Sequence, residues 1–483
     1  MAPAVDPDLH GTVSTRVPAR LDRLPWGAFH WRVAIALGVT WILDGLEVTF
    51  KGAVSGVLQL PGTLGLTSAQ IGMLASGYLA GAVLGALFFG RLTDRYGRKR
   101  LYFLTLSVYL VGVALSAFAW DVWSFLAFRI LTGCGVGGEY AAINSAIDEL
   151  IPARYRGRTG LMINGSFWLG AALGSGATLV LLDPALFPVD LGWRLGFGIG
   201  AILGLSILLL RRTIPESPRW LLTHGRAAEA EAVVDALELE SARATGRTLA
   251  PMDVAPLRLR QRHPVGLAQV AQVMLRRYPS RTAMCLALMA SQAFLYNAIF
   301  FTYALVLTRF YGVPAADTGL YLLPFAIGNF LGPLALGHWF DTVGRRPMIA
   351  ITYATSAVLL AATGWMFAHE LINALEQTAL WCVIFFFASA AASSAYLSAS
   401  ELFPLEIRAL AVAMFFAIGT GTGGVAAPWL FGTLIGTGSR QAVYYGYLAG
   451  AAMLLVAVAA VLAFGVRAER KPLEEIAAPL SEV

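Results

Sequence analysis

The loop Gly90-Arg91-Leu92-Thr93-Asp94-Arg95-Tyr96-Gly97-Arg98-Lys99 decides the fold of this chain, because a weaker copy of it stands in the second half. Both glycines, the aspartate and the last arginine recur with the same spacing as Gly337, Asp341, Gly344 and Arg345. A second motif, Glu149, Pro152 and Arg156, recurs as Glu401, Pro404 and Arg408. Two motifs repeated at nearly one distance indicate an internal duplication.

The composition around these loops is that of a membrane protein. Of 483 residues, 57% are hydrophobic and 13% are charged, whereas roughly a quarter of an ordinary soluble domain is charged. The mean hydropathy is +0.67. A water-soluble globule and a disordered chain are therefore excluded. Since about 20 residues cross a bilayer, the chain has room for about a dozen spans.

Apolar runs between charged and turn-forming segments predict twelve membrane-spanning helices. They lie at 33–58, 69–92, 100–119, 122–146, 159–182 and 193–212, then at 282–308, 318–340, 347–368, 377–399, 409–432 and 441–465. The predicted parts are an N-terminal tail (1–31), a first bundle (32–212), a linker with short helices (213–281), a second bundle (282–465) and a C-terminal tail (466–483). Residues 1–31 lack the short apolar core of a removable signal peptide.

The arginines predict the orientation. They cluster before the first span, between spans 2 and 3 and between spans 4 and 5, whereas the loop 59–68 has no charge. By the positive-inside rule, both tails and the linker lie in the cytoplasm. We expect a multi-pass protein of the plasma membrane, which in a prokaryote is the inner membrane, and we expect it to be a monomer.

Several function classes find no support in the sequence. The three lysines, Lys51, Lys99 and Lys471, are not followed by Ser or Thr, so a P-loop is excluded. The three cysteines are too scattered for a disulfide framework or a metal site. The basic residues form short clusters between apolar runs, which argues against nucleic-acid binding. We expect neither an enzyme nor a bound cofactor or metal.

The loop 90–99 resembles the G-x-L-x-D-R-x-G-R-K signature of the major facilitator superfamily. This resemblance implies an all-α membrane protein with two pseudo-symmetric six-helix bundles. Pro215-Glu216-Ser217-Pro218-Arg219-Trp220-Leu221 resembles the P-E-S-P-R-W-L segment of the sugar-porter branch, and the repeated Glu–Pro–Arg motifs resemble its E-x-x-P-x-x-x-R pairs. Leu473-Glu474-Glu475-Ile476 is similar to its closing segment, although the preceding P-E-T-K is missing.

The resemblance implies a cytoplasmic gate of charged side chains that closes in one state and opens in the other. An aspartate at a helix C-terminus is unfavourable unless nearby basic groups compensate its charge. Arg154, Arg156 or Arg158 could compensate Asp94. The alternative is that these arginines only set the topology. The gate set is Gly90, Asp94, Arg95, Gly97, Arg98, Glu149, Arg156, Glu216, Arg219, Asp341, Gly344, Arg345, Glu401 and Arg408.

Four charges are expected at depths in the bilayer where an unpaired charge costs several kcal/mol: Asp44, Glu47, Arg129 and Glu139. Lys51 lies one turn beyond Glu47. In proton-coupled sugar porters an acid of the first span pairs with the arginine that Arg129 resembles, so Asp44 or Glu47 is implied as the proton carrier. Asp44-Gly45-Leu46-Glu47 resembles the D-G-Y-D of aromatic-acid symporters and the D-x-x-E of nicotinate transporters and synaptic-vesicle-glycoprotein relatives. A static ion pair remains the alternative.

The predicted substrate contacts come from the segment 291–301, which resembles the sugar-porter Q-Q-x-S-G-x-N-x-x-x-Y. It keeps the second amide and the asparagine, but Phe294 and Leu295 replace serine and glycine. Buried amides need partners, and they could bond either a substrate or a neighbouring helix. The substrate set is Gln292, Asn297, Asn164, Tyr296, Phe301, Trp168 and Tyr396. Its aromatic character favours a flat or partly apolar solute over a hexose.

The sequence therefore predicts a proton-coupled symporter of a small organic metabolite that works by alternating access, with an aromatic or heterocyclic carboxylate as the expected substrate. Three alternatives remain open: a sugar or polyol symporter, an organic-cation or drug exporter driven by proton antiport, and a membrane nutrient sensor.

Overall fold

The structure is a computed structural model that describes residues 12–212, 214–246, 249, 254–260, 266–300, 302–314 and 318–481. The first half consists of six long helices, which we call spans 1 to 6. Their bounds are Ala28–Val57, Ser68–Tyr96, Arg98–Ser116, Val122–Leu150, Arg156–Leu181 and Val189–Arg211. Side chains just before two of these helices fix where they begin. Thr67 accepts a hydrogen bond from the backbone N–H of Gln70, and Asp121 accepts one from Ser124.

The second half repeats this plan, and two of its spans consist of more than one described helix. Span 7 is Pro279–Phe300 followed by Tyr303–Tyr311, and span 11 is Arg408–Gly419, a π-helical turn Thr420–Gly424, and Val425–Gly436. Spans 8, 9, 10 and 12 are Thr318–Thr342, Arg345–Ala368, Ala374–Glu401 and Arg440–Phe464. The π-helical turn lies in the glycine-rich stretch of span 11, where the absence of side chains lets the backbone deform.

Within the described residues, nine helices are long and apolar enough to cross a membrane. Spans 4, 5 and 8 are 29, 26 and 25 residues long and pack against spans 2, 1 and 10, respectively. The predicted all-helical fold with two six-helix halves is confirmed.

Glycines let neighbouring spans touch backbone to backbone. A Cβ atom at Gly137 of span 4 would lie 1.9 Å from the carbonyl oxygen of Ala82 in span 2, and one at Gly170 of span 5 would lie 1.8 Å from that of Ile42 in span 1. Such contacts are impossible for any larger residue. The two halves meet where spans 5 and 8 pack together and where spans 2 and 11 pack together.

The described N-terminal tail and the linker up to Arg260 form a small layer on the first half, whereas the later linker helix Leu267–Gln272 packs on the second half. The strand Thr12–Thr15 pairs antiparallel with Leu257–Arg260. Short helices at Val17–Asp22, Pro218–Thr223, Leu267–Gln272 and Leu473–Ile476 accompany the longer helix Ala227–Thr245. Buried side chains of this layer, among them Val234 and Leu259, belong to the same apolar cluster as Phe29 and Val33 of span 1. The linker helix predicted around Ala227–Glu240 is present and extends to Thr245.

Candidate transport pathway and gate

The predicted gate residues gather at one end of the bundle, where spans 2 and 3, 4 and 5, 8 and 9, and 10 and 11 are joined. We call this the gate end and the opposite end the far end. In the first half, the Arg98 side chain is 2% exposed, and its Nη2 lies 2.7 Å from Glu149 Oε1 and 3.2 Å from Asp94 Oδ1. Gly97 precedes it at φ +99°, which favours glycine. Glu216 accepts the backbone N–H of Arg98 at 2.9 Å.

The second half carries the matching arrangement. Arg345 Nη2 lies 3.0 Å from Glu401 Oε1, and Arg345 Nη1 lies 2.7 Å from Asp341 Oδ1. Gly344 has φ +118°, and Glu469 accepts the backbone N–H of Arg345 at 3.4 Å. The duplication seen in the sequence therefore extends to the individual contacts of the gate.

Each gate aspartate also reaches into the opposite half. Asp94 Oδ2 accepts the backbone N–H of Leu410 at 3.0 Å, near the start of span 11. Asp341 accepts the backbone N–H groups of Gly157 and Arg158, at 3.0 and 2.8 Å, at the start of span 5. A helix N-terminus is a favourable place for a carboxylate, since its first N–H groups are unpaired and its dipole is positive. These bonds tie the two halves together at the gate end.

The basic partner suggested for Asp94 is corrected by this geometry. Asp94 pairs with Arg98 of its own loop rather than with the arginines 154, 156 or 158. The guanidinium groups of Arg154 and Arg158 instead lie 4.8 and 4.9 Å from the ring centre of Tyr155. The helix start at Leu410 supplies the second partner of Asp94, and its backbone N–H carries no side-chain signature in the sequence.

Two longer ion pairs cross the boundary between the two halves at the gate end. Arg156 Nη1 lies 3.5 Å from Glu401 Oε1, and Arg408 Nη1 lies 3.6 Å from Glu149 Oε1. Gly90 faces Ala413 of span 11 across this interface, and a Cβ atom at Gly90 would lie 2.7 Å from the Ala413 Cβ.

Arg219 joins both tails to the gate. Its guanidinium group, 1% exposed, lies 3.1 Å from Asp22 of the N-terminal tail and 2.9 Å from Glu474 of the C-terminal tail. Although burial lowers the pKa of Arg219, the nearby carboxylates raise it above its ordinary value. Arg95 differs from the rest of the predicted gate set. It is exposed, and its guanidinium lies over the ring of Tyr96.

The four charges predicted inside the spans take part in two ion pairs and one hydrogen bond to a tyrosine. Arg129 Nη1 lies 2.6 Å from Glu47 Oε1, and the two side chains are 1% and 2% exposed. Asp44 accepts a hydrogen bond from the Tyr140 hydroxyl at 3.0 Å. Of the two acids of span 1, Glu47 is therefore the one that forms the ion pair with Arg129.

Glu139 pairs with Arg211, the last residue of span 6. Arg211 also donates to the Tyr102 carbonyl and to the Thr40 hydroxyl, both at 2.7 Å. Arg211 is not among the site residues predicted from the sequence. The available signal was an arginine in the last turn of a predicted span together with a Glu139 that had no assigned partner.

Several buried polar atoms of this region lack a well-aligned hydrogen bond within the described residues. They are Asp44 Oδ1, both carboxylate oxygens of Glu47, all three guanidinium nitrogens of Arg129, and Trp41 Nε1. A space of about 10 Å³ beside Asp44 is lined by Thr40, Trp41, Asp44, Val136, Glu139, Tyr140 and Ile143. It has room for about one water molecule.

Aromatic rings from both halves meet next to Asp44. Tyr140 packs edge-on against Trp41, with ring centres 4.4 Å apart, and stacks on Phe416 of span 11 at 4.8 Å. Tyr396 of span 10 lies 5.9 Å from Tyr140 and 6.5 Å from Trp41. We call Trp41, Tyr140, Tyr396 and Phe416 the aromatic cluster. It joins the halves near the middle of the bundle.

A second contact between aromatic rings crosses the boundary between the two halves. Trp168 of span 5 stacks on Tyr296 of span 7, with ring centres 5.6 Å apart. The Tyr296 hydroxyl donates to Asn329 Oδ1 at 2.8 Å. Of the predicted substrate residues, Trp168, Tyr296 and Tyr396 therefore lie at the interface between the halves.

The predicted amides bond mainly within their own half. Asn297 Nδ2 donates to the Ala293 carbonyl at 2.7 Å, and Asn164 Nδ2 donates to Asn144 Oδ1 at 3.3 Å. Gln292 is half-buried, with its Nε2 3.9 Å from the sulfur of Met289. Phe301 lies outside the described residues. Asn144 and Asn329 were missed because a lone asparagine in an apolar span gives no indication of its neighbours.

Comparison with known proteins identifies the family. The family described as sugar (and other) transporter matches residues 34–479, so the chain belongs to that family. It is 26% identical over 460 residues to the niacin transporter NiaP of Acinetobacter baylyi, covering 95% of this chain and 99% of that protein. It is 27% identical over 440 residues to the 4-hydroxybenzoate transporter PcaK of Pseudomonas aeruginosa, covering 89% and 92%.

Among solved structures, the chain is similar to the major facilitator superfamily proton:xylose symporter XylE bound to 6-bromo-6-deoxy-D-glucose. The TM-score is 0.76 at 19% identity, covering 93% of this chain and 98% of the other. The protein is a multi-pass membrane transporter of the major facilitator superfamily rather than an enzyme.

Proposed function

We propose that the protein is a proton-coupled symporter that carries a small aromatic or heterocyclic carboxylate by alternating access. The observation that carries this proposal is the buried pair Glu47–Arg129, 2.6 Å apart, one helical turn from Asp44. A carboxylate that exchanges a guanidinium partner for a proton can couple ion movement to a change of conformation.

The charges of the first half support coupling to an anion. In and next to the Glu47–Arg129 pair, three acidic and three basic side chains balance one another: Asp44, Glu47 and Glu139, with Lys51, Arg129 and Arg211. A proton taken up by one of these carboxylates leaves one positive charge in excess. In a poorly polarisable interior, an anionic solute would offset that charge, so proton and carboxylate would bind together.

The aromatic cluster supports the solute class. Its rings lie next to Asp44 and come from both halves, so a flat solute placed between them would contact both halves at once. Aromatic rings pair by offset stacking or edge-to-face contact. Two relatives are named as transporters of niacin and of 4-hydroxybenzoate, and both solutes are aromatic carboxylates.

The gate contacts support a state that is closed at the gate end. We propose that this end faces the cytoplasm together with both termini, as the arginine-rich loops indicate. Transport would then require the contacts of Asp94 with Leu410 and of Asp341 with Arg158 to break, so that the halves rock apart. We further propose a monomer in a bacterial inner membrane, with tails 1–31 and 466–483 and the linker 213–281 at the gate end.

The proposal is tested by uptake of radiolabelled nicotinate and 4-hydroxybenzoate into proteoliposomes with an imposed pH gradient. We expect accumulation that a proton-conducting uncoupler abolishes. Glu47→Gln and Asp44→Asn should lose gradient-driven accumulation. The same substitutions at exposed sites, Glu475→Gln and Asp235→Asn, should leave it unchanged.

Three results would contradict the proposal. Uptake of xylose or glucose but of neither carboxylate would favour a sugar symporter. Proton-driven export of an organic cation would favour antiport. Full accumulation in both Glu47→Gln and Asp44→Asn would show that neither acid carries the coupled proton.

A further inference from the structure

A second cavity lies between the Glu47–Arg129 pair and the far end of the first half. It holds about 40 Å³ and lies between spans 1, 2 and 4. Its lining consists of Lys51, Val54, Ser55, Leu58, Ile71, Leu74, Ala75, Phe125 and Arg129. Lys51 lies two helical turns beyond Asp44 on the same face of span 1. The cavity therefore lies on the far-end side of the charged cluster.

Two cations line this cavity and share one aromatic ring. Lys51 Nζ lies 3.6 Å from the ring centre of Tyr78, and the guanidinium carbon of Arg129 lies 5.1 Å from it. Tyr78 is 7% exposed. The electron-rich face of a phenol ring stabilises a cation but does not neutralise its charge.

Of the two cations, only Arg129 has a carboxylate within 4.0 Å among the residues that the structure describes. Arg129 pairs with Glu47, whereas no carboxylate of the described residues lies within 4.0 Å of Lys51 Nζ. The three guanidinium nitrogens of Arg129 are buried and lack a well-aligned acceptor in the part of the chain that the structure describes. Asp44 and Glu47 on the same face of span 1 balance the net charge, but the two cations that line the cavity still repel each other in a low-dielectric bundle. An anion between them would reduce this repulsion and stabilise both.

A surface role for Lys51 fits the geometry less well. A lysine near the end of a span normally extends its amino group toward the membrane surface. Lys51 lies about 9 Å from the far-end terminus of span 1, by the rise of 1.5 Å per residue, and its amino group lies over the buried Tyr78 ring.

We propose that Lys51 and Arg129 form a carboxylate-binding site in this cavity, which receives the carboxylate of the transported solute. This inference rests on the proposed function and adds Lys51 as a residue that determines specificity for anions. The cavity can take a carboxylate with a water molecule or two but is too small for a ring, so the rest of the solute would extend out of it.

The test compares each acid with its neutral amide, because the pair shares a ring and differs in charge. Binding of nicotinate, nicotinamide, 4-hydroxybenzoate and 4-hydroxybenzamide to the purified protein is measured by calorimetry near pH 7 in chloride-free buffer, and the uptake assay is run alongside. We expect the wild type to bind each acid at least about tenfold more tightly than its amide. Lys51→Gln should abolish this preference, and Lys51→Arg should retain most of it.

Lys471→Gln provides the matched control, since it makes the same substitution at an exposed lysine. It should leave the acid-to-amide ratio unchanged. Because the readout is a ratio within one variant, a partial loss of folded protein does not alter it. Binding of the amides to Lys51→Gln further shows that the variant is folded.

The inference is overturned if Lys51→Gln keeps the wild-type ratio while the wild type transports the acids, a result that leaves the proposed function intact. If the wild type neither binds nor transports the acids, the proposed function fails and this site fails with it. A titration with sodium chloride distinguishes the source of the anion. If chloride binding depends on Lys51 and the acid-to-amide ratio does not, the cavity is a site for a small inorganic anion.

Discussion

The carboxylate of Asp341 accepts the backbone N–H of Arg158 at 2.8 Å, across the boundary between the two halves. Asp94 makes the symmetry-related bond to Leu410 at 3.0 Å. The halves are thus held at the gate end by carboxylates placed on helix starts, which depend on charge as well as on hydrogen bonding.

We expect Asp341→Asn to weaken the closed state of the gate. The amide keeps one acceptor oxygen but loses the charge that favours the helix start, and hydrogen bonds to charged groups contribute about 1.5–3 kcal/mol, a population change of about ten- to a hundredfold. Spin labels at Arg95→Cys and Val343→Cys, two exposed sites at the gate ends of opposite halves, would report longer distances. The native cysteines would first be replaced. Asp235→Asn is the control, and an unchanged distance distribution in Asp341→Asn would contradict the role of this charge.

The pair Glu139–Arg211 should stabilise the first half. Arg211→Gln leaves a buried carboxylate without its cation, which costs about 3–5 kcal/mol, so the melting temperature in detergent should fall. The double variant Glu139→Gln with Arg211→Gln should recover part of this loss, because no uncompensated charge remains. Equal melting temperatures for Arg211→Gln and the wild type would show that the pair is not formed in the folded protein.

Two glycines of span 5 provide a test of helix packing. A Cβ atom at Gly170 would lie 1.8 Å from the Ile42 carbonyl oxygen, whereas one at Gly176 would meet no atom within 4 Å. Gly170→Ala should therefore destabilise the protein by about 1–3 kcal/mol through overpacking. Gly176→Ala should be neutral or stabilising, since alanine favours a helix over glycine by up to about 1 kcal/mol. The melting temperatures of both variants test this expectation. A shift in the same direction for both would contradict the contact between spans 1 and 5.

Arg219 should control how firmly the tails are held. Arg219→Gln removes the cation shared by Asp22 and Glu474 and the donor to the Glu149 carbonyl. We expect faster proteolysis of the C-terminal segment after Glu474, followed by mass spectrometry of the released peptide. Arg243→Gln at an exposed position of the linker helix should leave the rate unchanged. If cleavage is equally slow in Arg219→Gln, the tail is held by its apolar contacts alone.

The fold could be predicted from the sequence because its signals are local and repeated. The duplication was indicated by the loop that contains Asp94 and by its copy around Asp341. The apolar runs located the spans to within several residues. The helix Ala227–Thr245 could be predicted for the same reason, since its pattern of charged and apolar residues lies within one continuous stretch of the chain.

The pairings within the site could not be predicted in this way. Asp44 and Glu47 are three residues apart on one helix face, so only the rotation of span 1 against span 4 decides which of them meets Arg129. Hydropathy does not encode that rotation. The contact of Glu139 with Arg211 depends in turn on how spans 4 and 6 are placed, and the strand at Thr12–Thr15 has its partner more than 200 residues away.

That strand has a mechanical consequence for the passage between states. Because Thr12–Thr15 pairs with Leu257–Arg260, and Val234 and Leu259 pack into the first half, most of the described linker moves with that half. The rest of the described linker belongs to the second half, because Val270 of the helix Leu267–Gln272 and Met274 of the π-helical turn Val273–Arg277 lie in the apolar cluster of that half. The linker is thus anchored on the first half up to Arg260 and on the second half from Leu267. Rotation of one half against the other therefore changes the distance between these two anchors and pulls on the two-stranded sheet and so on the N-terminal tail.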